Sequence, residues 1–143
     1  MQKQQPTLIK GGVFKDQRGK LDFFNDFDAK QIKRIYFTTH FDTKVIRAWQ
    51  GHKVESRWFV CTNGSFQIKL VEIDNWQNPS NNLPIKEFKL SANSKQILHI
   101  PNGFVNGFRA LEDNSQLMIM ANYEFGEIEN DEVRFNYNKW TTW

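Results

Sequence analysis

Short runs rich in β-branched and aromatic residues, each ended by turn formers, recur along the whole chain and constrain its fold more than any other feature. They read TLIKGGVF, KLDFFND, QIKRIYFTTH, KVIRAWQ, SRWFVCT, SFQIKLVEI, KEFKL, QILHI and SQLMIMANYEF, separated by KDQRG, FDT, TNGS, NPSNN, PNG and EDNS. Segments spaced so regularly predict an all-β, antiparallel sandwich or barrel. In SFQIKLVEI, Phe66, Ile68 and Leu70 alternate with Gln67, Lys69 and Val71, so one face turns to a core and the other largely outward. Asn63 and Gly64 both tolerate positive φ and predict a tight hairpin between SRWFVCT and SFQIKLVEI. Residues 74–83, DNWQNPSNNL, concentrate turn formers and predict the longest exposed loop, while the ends QKQQP and NKWTTW are expected at the periphery.

A chain of 143 residues is of single-domain size, so one domain spanning 1–143 is expected. Its 13 Phe and 5 Trp supply large side chains for a core and favour strands. The 19 basic and 16 acidic residues are interspersed, without the Lys/Arg run of a nucleic-acid arm, so no nucleic-acid partner is expected. A small anionic ligand held by a few local cations remains compatible with this balance. Cys61 is the one cysteine, which excludes an intramolecular disulfide and a thiolate cluster within one chain. Within the apolar run WFVC it reads as a buried, inert thiol. MQKQQPTLIKGG lacks a signal-peptide apolar stretch, and no segment approaches the ~20 apolar residues of a membrane span. A cytoplasmic protein without a membrane partner is expected.

The chemistry concentrates in two clusters. One is Arg47-Ala48-Trp49-Gln50-Gly51-His52-Lys53 followed by Glu55, and the other is Pro101-Asn102-Gly103-Phe104-Val105-Asn106. Their layout resembles the two motifs of the cupin superfamily, His-x-His with a following Glu and Pro-x-Gly-x-x-His. That resemblance implies an antiparallel jelly-roll β-barrel with a pocket, lined in part by residues 100–108. Metal-binding cupins carry His where this chain has Gln50 and Asn106. Amide oxygens are weak ligands for transition metals, so neither a metal nor another cofactor is expected. One His among amides and charges suits instead the reading of a polar, hydroxylated ligand by hydrogen bonds.

A closer resemblance lies in IPNGFVNGFRALEDNS, which is similar to the Ile-Pro-x-Gly-Phe-Ala-His-Gly-Phe stretch of the dTDP-4-dehydrorhamnose 3,5-epimerases. VIRAWQ, RWFVCTNGSFQIKLVEID, NPS and EIENDEVRF follow the same family. QRGKLDFFND, IKRIYF and RAWQGHK resemble the dTDP-4-keto-6-deoxyglucose 3,4-ketoisomerases, whose pattern is Arg-Gly-x-x-His-x-His-Lys. Both families act on keto intermediates of dTDP-deoxysugars without a metal, usually as dimers. The resemblance therefore implies a nucleotide-sugar epimerase or ketoisomerase, a nucleotide-sugar ligand and a homodimer.

Such chemistry needs a base beside a ketone and a donor for the enolate. Arg18, Tyr36, Arg47 and His52 match the ketoisomerase pattern, and Arg47, Arg57 and Asp131 fall where the epimerases place polar groups. His52 is then the expected base with Tyr36 its partner. Arg18, Arg47 and Arg57 are expected at the diphosphate, with Gln50, Asn106 and Asp131 as further substrate contacts. The chain departs from the epimerases at Gln50 and Asn106, which replace His, and at Met118, which stands where their catalytic Tyr is expected. A non-catalytic sugar-binding cupin is accordingly the second reading. Taken one by one, Arg18 also reads as a turn arginine, His52 as a turn cap or a solvent-facing residue, Asp131 as a cap, Tyr36, Trp49, Trp58 and Phe104 as core, and His40 and His99 as structural.

Overall fold

The computed structural model describes residues 4–143 and is all-β apart from one 3-10 turn at Ala29–Gln31. In chain order the strands are β1 (Thr7–Lys10), β2 (Gly12–Asp16), β3 (Gly19–Phe23), β4 (Arg34–His40), β5 (Ile46–His52) and β6 (Arg57–Asn63). They continue as β7 (Ser65–Glu72), β8 (Ile85–Ser91), β9 (Gln96–Ile100), β10 (Phe104–Ala110), β11 (Ser115–Ala121) and β12 (Glu132–Arg134). One sheet runs β1-β9-β6-β11-β4 and the other β12-β5-β10-β7-β8, while β2 and β3 form a hairpin of their own. Every pairing is antiparallel. No helix among the described residues is long and apolar enough to cross a membrane.

The two sheets close on a core that takes Phe59, Leu98, Leu117 and Ile119 from the first and Phe66, Ile68, Leu70 and Phe108 from the second. The alternation read in β7 holds for its inner face, since Phe66, Ile68 and Leu70 are fully buried. Its outer face corrects the expectation, because Val71 is fully buried and Lys69 nearly so. The C-terminal segment lies across this face: Trp140 and Trp143 pack on Trp49 at centroid distances of 5.5 and 5.7 Å. Lys69 Nζ donates to Thr141 Oγ1 at 2.8 Å and to the Thr142 carbonyl at 3.1 Å. NKWTTW is thus a packed cover rather than a peripheral end. Trp49 and Val71 face away from the central core, and their apolar area requires such a lid.

A second correction concerns Asn63-Gly64. The turn is present, with Gly64 at φ +70°, but β6 pairs with β9 and β11 whereas β7 pairs with β8 and β10. It is a corner that carries the chain from one sheet to the other. Gly64 is needed there twice over, since a Cβ would also run into the Ser115 side chain. The turn at Pro101-Asn102-Gly103 changes sheets in the same way, between β9 and β10.

One irregularity positions the site. On β10 Asn106 pairs with Gln50 of β5, yet Phe108, two residues on, pairs with Arg47, three residues back. The extra residue is a bulge at Ala48-Trp49. Strict alternation would place Arg47 and Gln50 on opposite faces; the bulge turns both toward the space between the sheets while Trp49 faces the C-terminal lid.

Candidate active site

Inward side chains of five strands enclose a cavity of about 80 Å³: Tyr36 and Thr38 of β4, Arg47 and Gln50 of β5, Arg57 and Phe59 of β6, Asn106 and Phe108 of β10, and Ile119 of β11. A second recess of about 270 Å³ shares Arg47, Gln50, Asn106 and Phe108 and adds Arg134 of β12. The inner space is small enough for a few atoms of a ligand, and the outer recess leaves room for the rest. Among the described residues, the inner lining has two guanidiniums, two amides and two hydroxyls but no carboxylate. Such a lining is complementary to a group rich in acceptor oxygens.

Of the residues expected in the site, Tyr36, Arg47, Gln50, Arg57 and Asn106 line this cavity. His52 and Asp131 stand one layer behind it. His52 Nδ1 lies 3.1 Å from Asp131 Oδ2, and His52 Nε2 lies 3.0 Å from Arg57 Nη2. The same Arg57 nitrogen is 2.7 Å from Glu55 Oε2. A guanidinium only donates, so Nε2 accepts and the imidazole proton sits on Nδ1, where it is donated to Asp131. Asp131 also accepts from the Val54 N–H at 2.6 Å and the Glu55 N–H at 3.3 Å, which fixes the turn after β5. All four of His52, Glu55, Arg57 and Asp131 are buried. Burial, joined by the positive Arg57, pushes the His52 pKa below its ordinary value against the opposing pull of Asp131 and Glu55.

Arg18 is not brought to this place. It stands at the turn between β2 and β3 with its side chain 80% exposed, and it pairs with Asp16 at 2.6 Å. The turn-arginine reading fits its surroundings in this chain, because the β2–β3 hairpin forms a separate small sheet. Met118 also needs correction as a pocket position. It packs on the outer face of its sheet beside Trp58 and Met120, and its neighbour Ile119 is the residue that faces the cavity. Three polar contributors went unread in the sequence. Thr38 could have been found from its spacing two residues after Tyr36 in a β run, and Arg134 from its place in EIENDEVRF. Arg34, whose guanidinium lies 5.2 Å from the Tyr36 ring centroid, has no comparable signal.

The remaining single residues fall in the core or on packed faces. Cys61 is buried and its thiol pKa is pushed up to about 11, chiefly by burial, which matches an inert thiol. His40 stacks on Phe108 at 5.6 Å, and His99 stacks on Trp58 at 4.7 Å.

Carboxylate and imidazole atoms of His52, Glu55 and Asp131 lie within 4.8 Å of one another, a grouping able to hold a divalent cation. The Arg57 guanidinium already supplies positive charge against His52 and Glu55. A metal does not fit this cluster without displacing it.

The chain's 3 histidines, His40, His52 and His99, all have pKa values lowered from 6.5, in each case mainly by burial. Each therefore binds a proton more weakly folded than unfolded. Their contribution to stability is fully present above about pH 6.5 and is lost as pH falls below it. The melting temperature is expected to be flat from pH 8 to 7 and to drop between pH 6.5 and 5. A flat profile through pH 5 would contradict this.

Comparison with known proteins agrees with this architecture. A probable low-salt glycan biosynthesis epimerase of Haloferax volcanii, Agl13, is 28% identical over 129 residues, covering 86% of this chain and 81% of that one. The 3,4-ketoisomerase QdtA of Thermoanaerobacterium thermosaccharolyticum, solved as a mutant with TDP-4-keto-6-deoxyglucose, superposes with a TM-score of 0.69 at 25% identity, over 94% of this chain and 90% of that one. The dTDP-4-dehydrorhamnose 3,5-epimerase of Bacillus anthracis, solved with TDP and PPi, gives a TM-score of 0.75 at 16% identity, over 93% and 79% of the two chains. These likenesses identify the antiparallel barrel as a cupin fold. Residues 4–142 match the model of the FdtA family, described as WxcM-like, C-terminal, and the chain belongs to that family.

Proposed function

We propose that the protein is a sugar-nucleotide epimerase or ketoisomerase that moves a proton at a carbon next to a ketone, without a metal, on a dTDP-linked 4-keto-6-deoxyhexose used in polysaccharide or glycan biosynthesis. The observation that carries this reading is the cavity lined by Tyr36, Arg47, Gln50, Arg57 and Asn106, with no carboxylate among the described lining residues. The inner cavity suits the keto edge of a sugar, and the outer recess, flanked by Arg47 and Arg134, suits the diphosphate. Tyr36 is the lining side chain able both to take and to return a proton. The two solved relatives, one holding TDP-4-keto-6-deoxyglucose and one holding TDP and PPi, support this choice of ligand.

The same reading includes a homodimer and a cytoplasmic location. Phe14 and Leu21 on the β2–β3 hairpin and Ile35 and Phe37 on edge strand β4 are exposed apolar side chains that a second copy would cover. Light scattering that finds only monomer would exclude the dimer.

Activity is tested with TDP-4-keto-6-deoxyglucose in deuterium oxide. The wild type is expected to wash deuterium into the sugar next to the ketone, and Tyr36→Phe to slow this by about 100-fold or more, within the usual range for acid–base groups. A melting temperature unmoved by any nucleotide sugar would sink the proposal. Stabilisation by the ligand without exchange would favour the second reading, a sugar-binding cupin that has lost its catalytic set.

A further inference from the structure

Both ring nitrogens of His52 are used inside the protein, Nδ1 toward Asp131 at 3.1 Å and Nε2 toward Arg57 at 3.0 Å. The ring is buried and is not part of the cavity lining. A base needs a free lone pair facing the carbon it deprotonates, and the lone pair of His52 is capped by a guanidinium. Arg57 is in the opposite situation. Its Nη2 is committed to His52 and Glu55, whereas its Nη1 is buried without a hydrogen-bond partner among the described residues, and the side chain lines the cavity. A buried donor left unpaired is unusual in a folded protein and points to a ligand that completes it.

We infer that Arg57 Nη1 is the donor to the reacting carbonyl oxygen, and that His52 is a positioning residue that holds Arg57 in place instead of acting as the base. This rests on the proposed proton transfer and assigns its parts. Tyr36, after its phenolic proton has passed to solvent, takes the proton from the carbon beside the carbonyl. The C–H electron pair becomes the second bond of a C=C, and the carbonyl π pair moves to oxygen. Arg57 gains a stronger hydrogen bond to that oxygen and transfers no proton, because a guanidinium does not deprotonate in a protein. The tyrosine proton then returns to carbon and the carbonyl reforms. The cluster is built for such a donor: Glu55 and the His52–Asp131 pair fix the guanidinium from one side, so its Nη1 side is the one left for substrate.

Three variants and one spectrum test this. Arg57→Gln is expected to lower kcat for deuterium exchange by about 100-fold to 1000-fold, the usual loss for one oxyanion donor, with KM little changed. Arg57→Lys, which keeps the charge against Glu55, guards against a folding defect and is expected to retain more activity. His52→Gln can still accept from Arg57 and is expected to keep a tenth or more of the wild-type kcat. If His52→Gln abolishes exchange while remaining folded, and Arg57→Gln does not, the assignment is overturned. The nitrogen NMR spectrum of the ligand-free protein at pH 7.5 is independent of any activity: neutral His52 protonated on Nδ1 is expected, and protonation on Nε2 would overturn the arrangement. Absence of exchange in the wild type, with the expected His52 spectrum, would fault the proposed reaction and the oxygen assignment while upholding the positioning role.

Discussion

Replacing Asp131 with alanine is expected to lower the unfolding free energy by about 3–5 kcal/mol, the cost of removing one partner from a buried ionic cluster. Its carboxylate receives the Val54 and Glu55 backbone N–H groups and the His52 ring, at 2.6, 3.3 and 3.1 Å. All three donors lose their acceptor in the variant, and water does not readily reach the buried His52 ring and Glu55, whereas Val54 lies at an exposed position. Glu55 Oε2, 3.4 Å from His52 Nδ1, offers that ring a partial substitute and favours the lower end of the range. For a chain of this length such a loss corresponds to a melting temperature roughly 10 °C lower. Asp131→Asn, which keeps one acceptor oxygen, should lose less. A drop of under about 2 °C in Asp131→Ala would mean that the cluster contributes little.

The second large effect is expected from the outer face of the same sheet. Removing residues 139–143 takes away Trp140 and Trp143, the carbonyl of Lys139 that accepts the Trp49 indole N–H at 2.8 Å, and both acceptors of the Lys69 ammonium. Trp49 would then face water beside Val71 and Val105. By comparison with other large-to-small changes at buried aromatics, the loss is about 3–5 kcal/mol. Trp143→Ala should reproduce a substantial part of it. Because the lid also packs against Ala48 and Gly107, behind the cavity residues of β5 and β10, the shortened protein should bind nucleotide sugar more weakly as well. Calorimetric melting and ligand titration of the shortened chain measure the two effects, and an unchanged melting temperature would refute the role of the lid.

The inner face of β7 was legible in the sequence because its signal is local: residues two apart share a face whatever the partner strand. The turn at Asn63-Gly64 was legible as a turn but not as a corner. Positive φ is required in both cases, and the difference lies in pairings with β9, β10 and β11, far along the chain. β10 was hidden because Asn106 and Gly107 interrupt its apolar pattern, although Phe104, Val105 and Phe108 are all buried. In the site, motif position identified Tyr36, Arg47, Gln50, Arg57 and Asn106 as a group. It carried no information about depth, so it could not distinguish Arg57, which faces the cavity, from His52, which supports it. The Asp131 partnership spans 79 residues and has no local signature. Arg18 matched a pattern, but a pattern does not report the distance between a hairpin tip and a barrel.

The bulge in β5 leaves the cavity tolerant of a change in chain length. Gln50 and His52 keep their phase from the turn that follows them, and the bulge absorbs the one surplus residue that would otherwise turn Arg47 outward. Deleting Ala48 would remove the surplus residue, leave Arg47 two positions before Gln50, and so keep both on the inner face by plain alternation. The cation at the mouth of the barrel would thus survive a three-base deletion, a change of length that a comparison of aligned residues alone would count as a loss in the site.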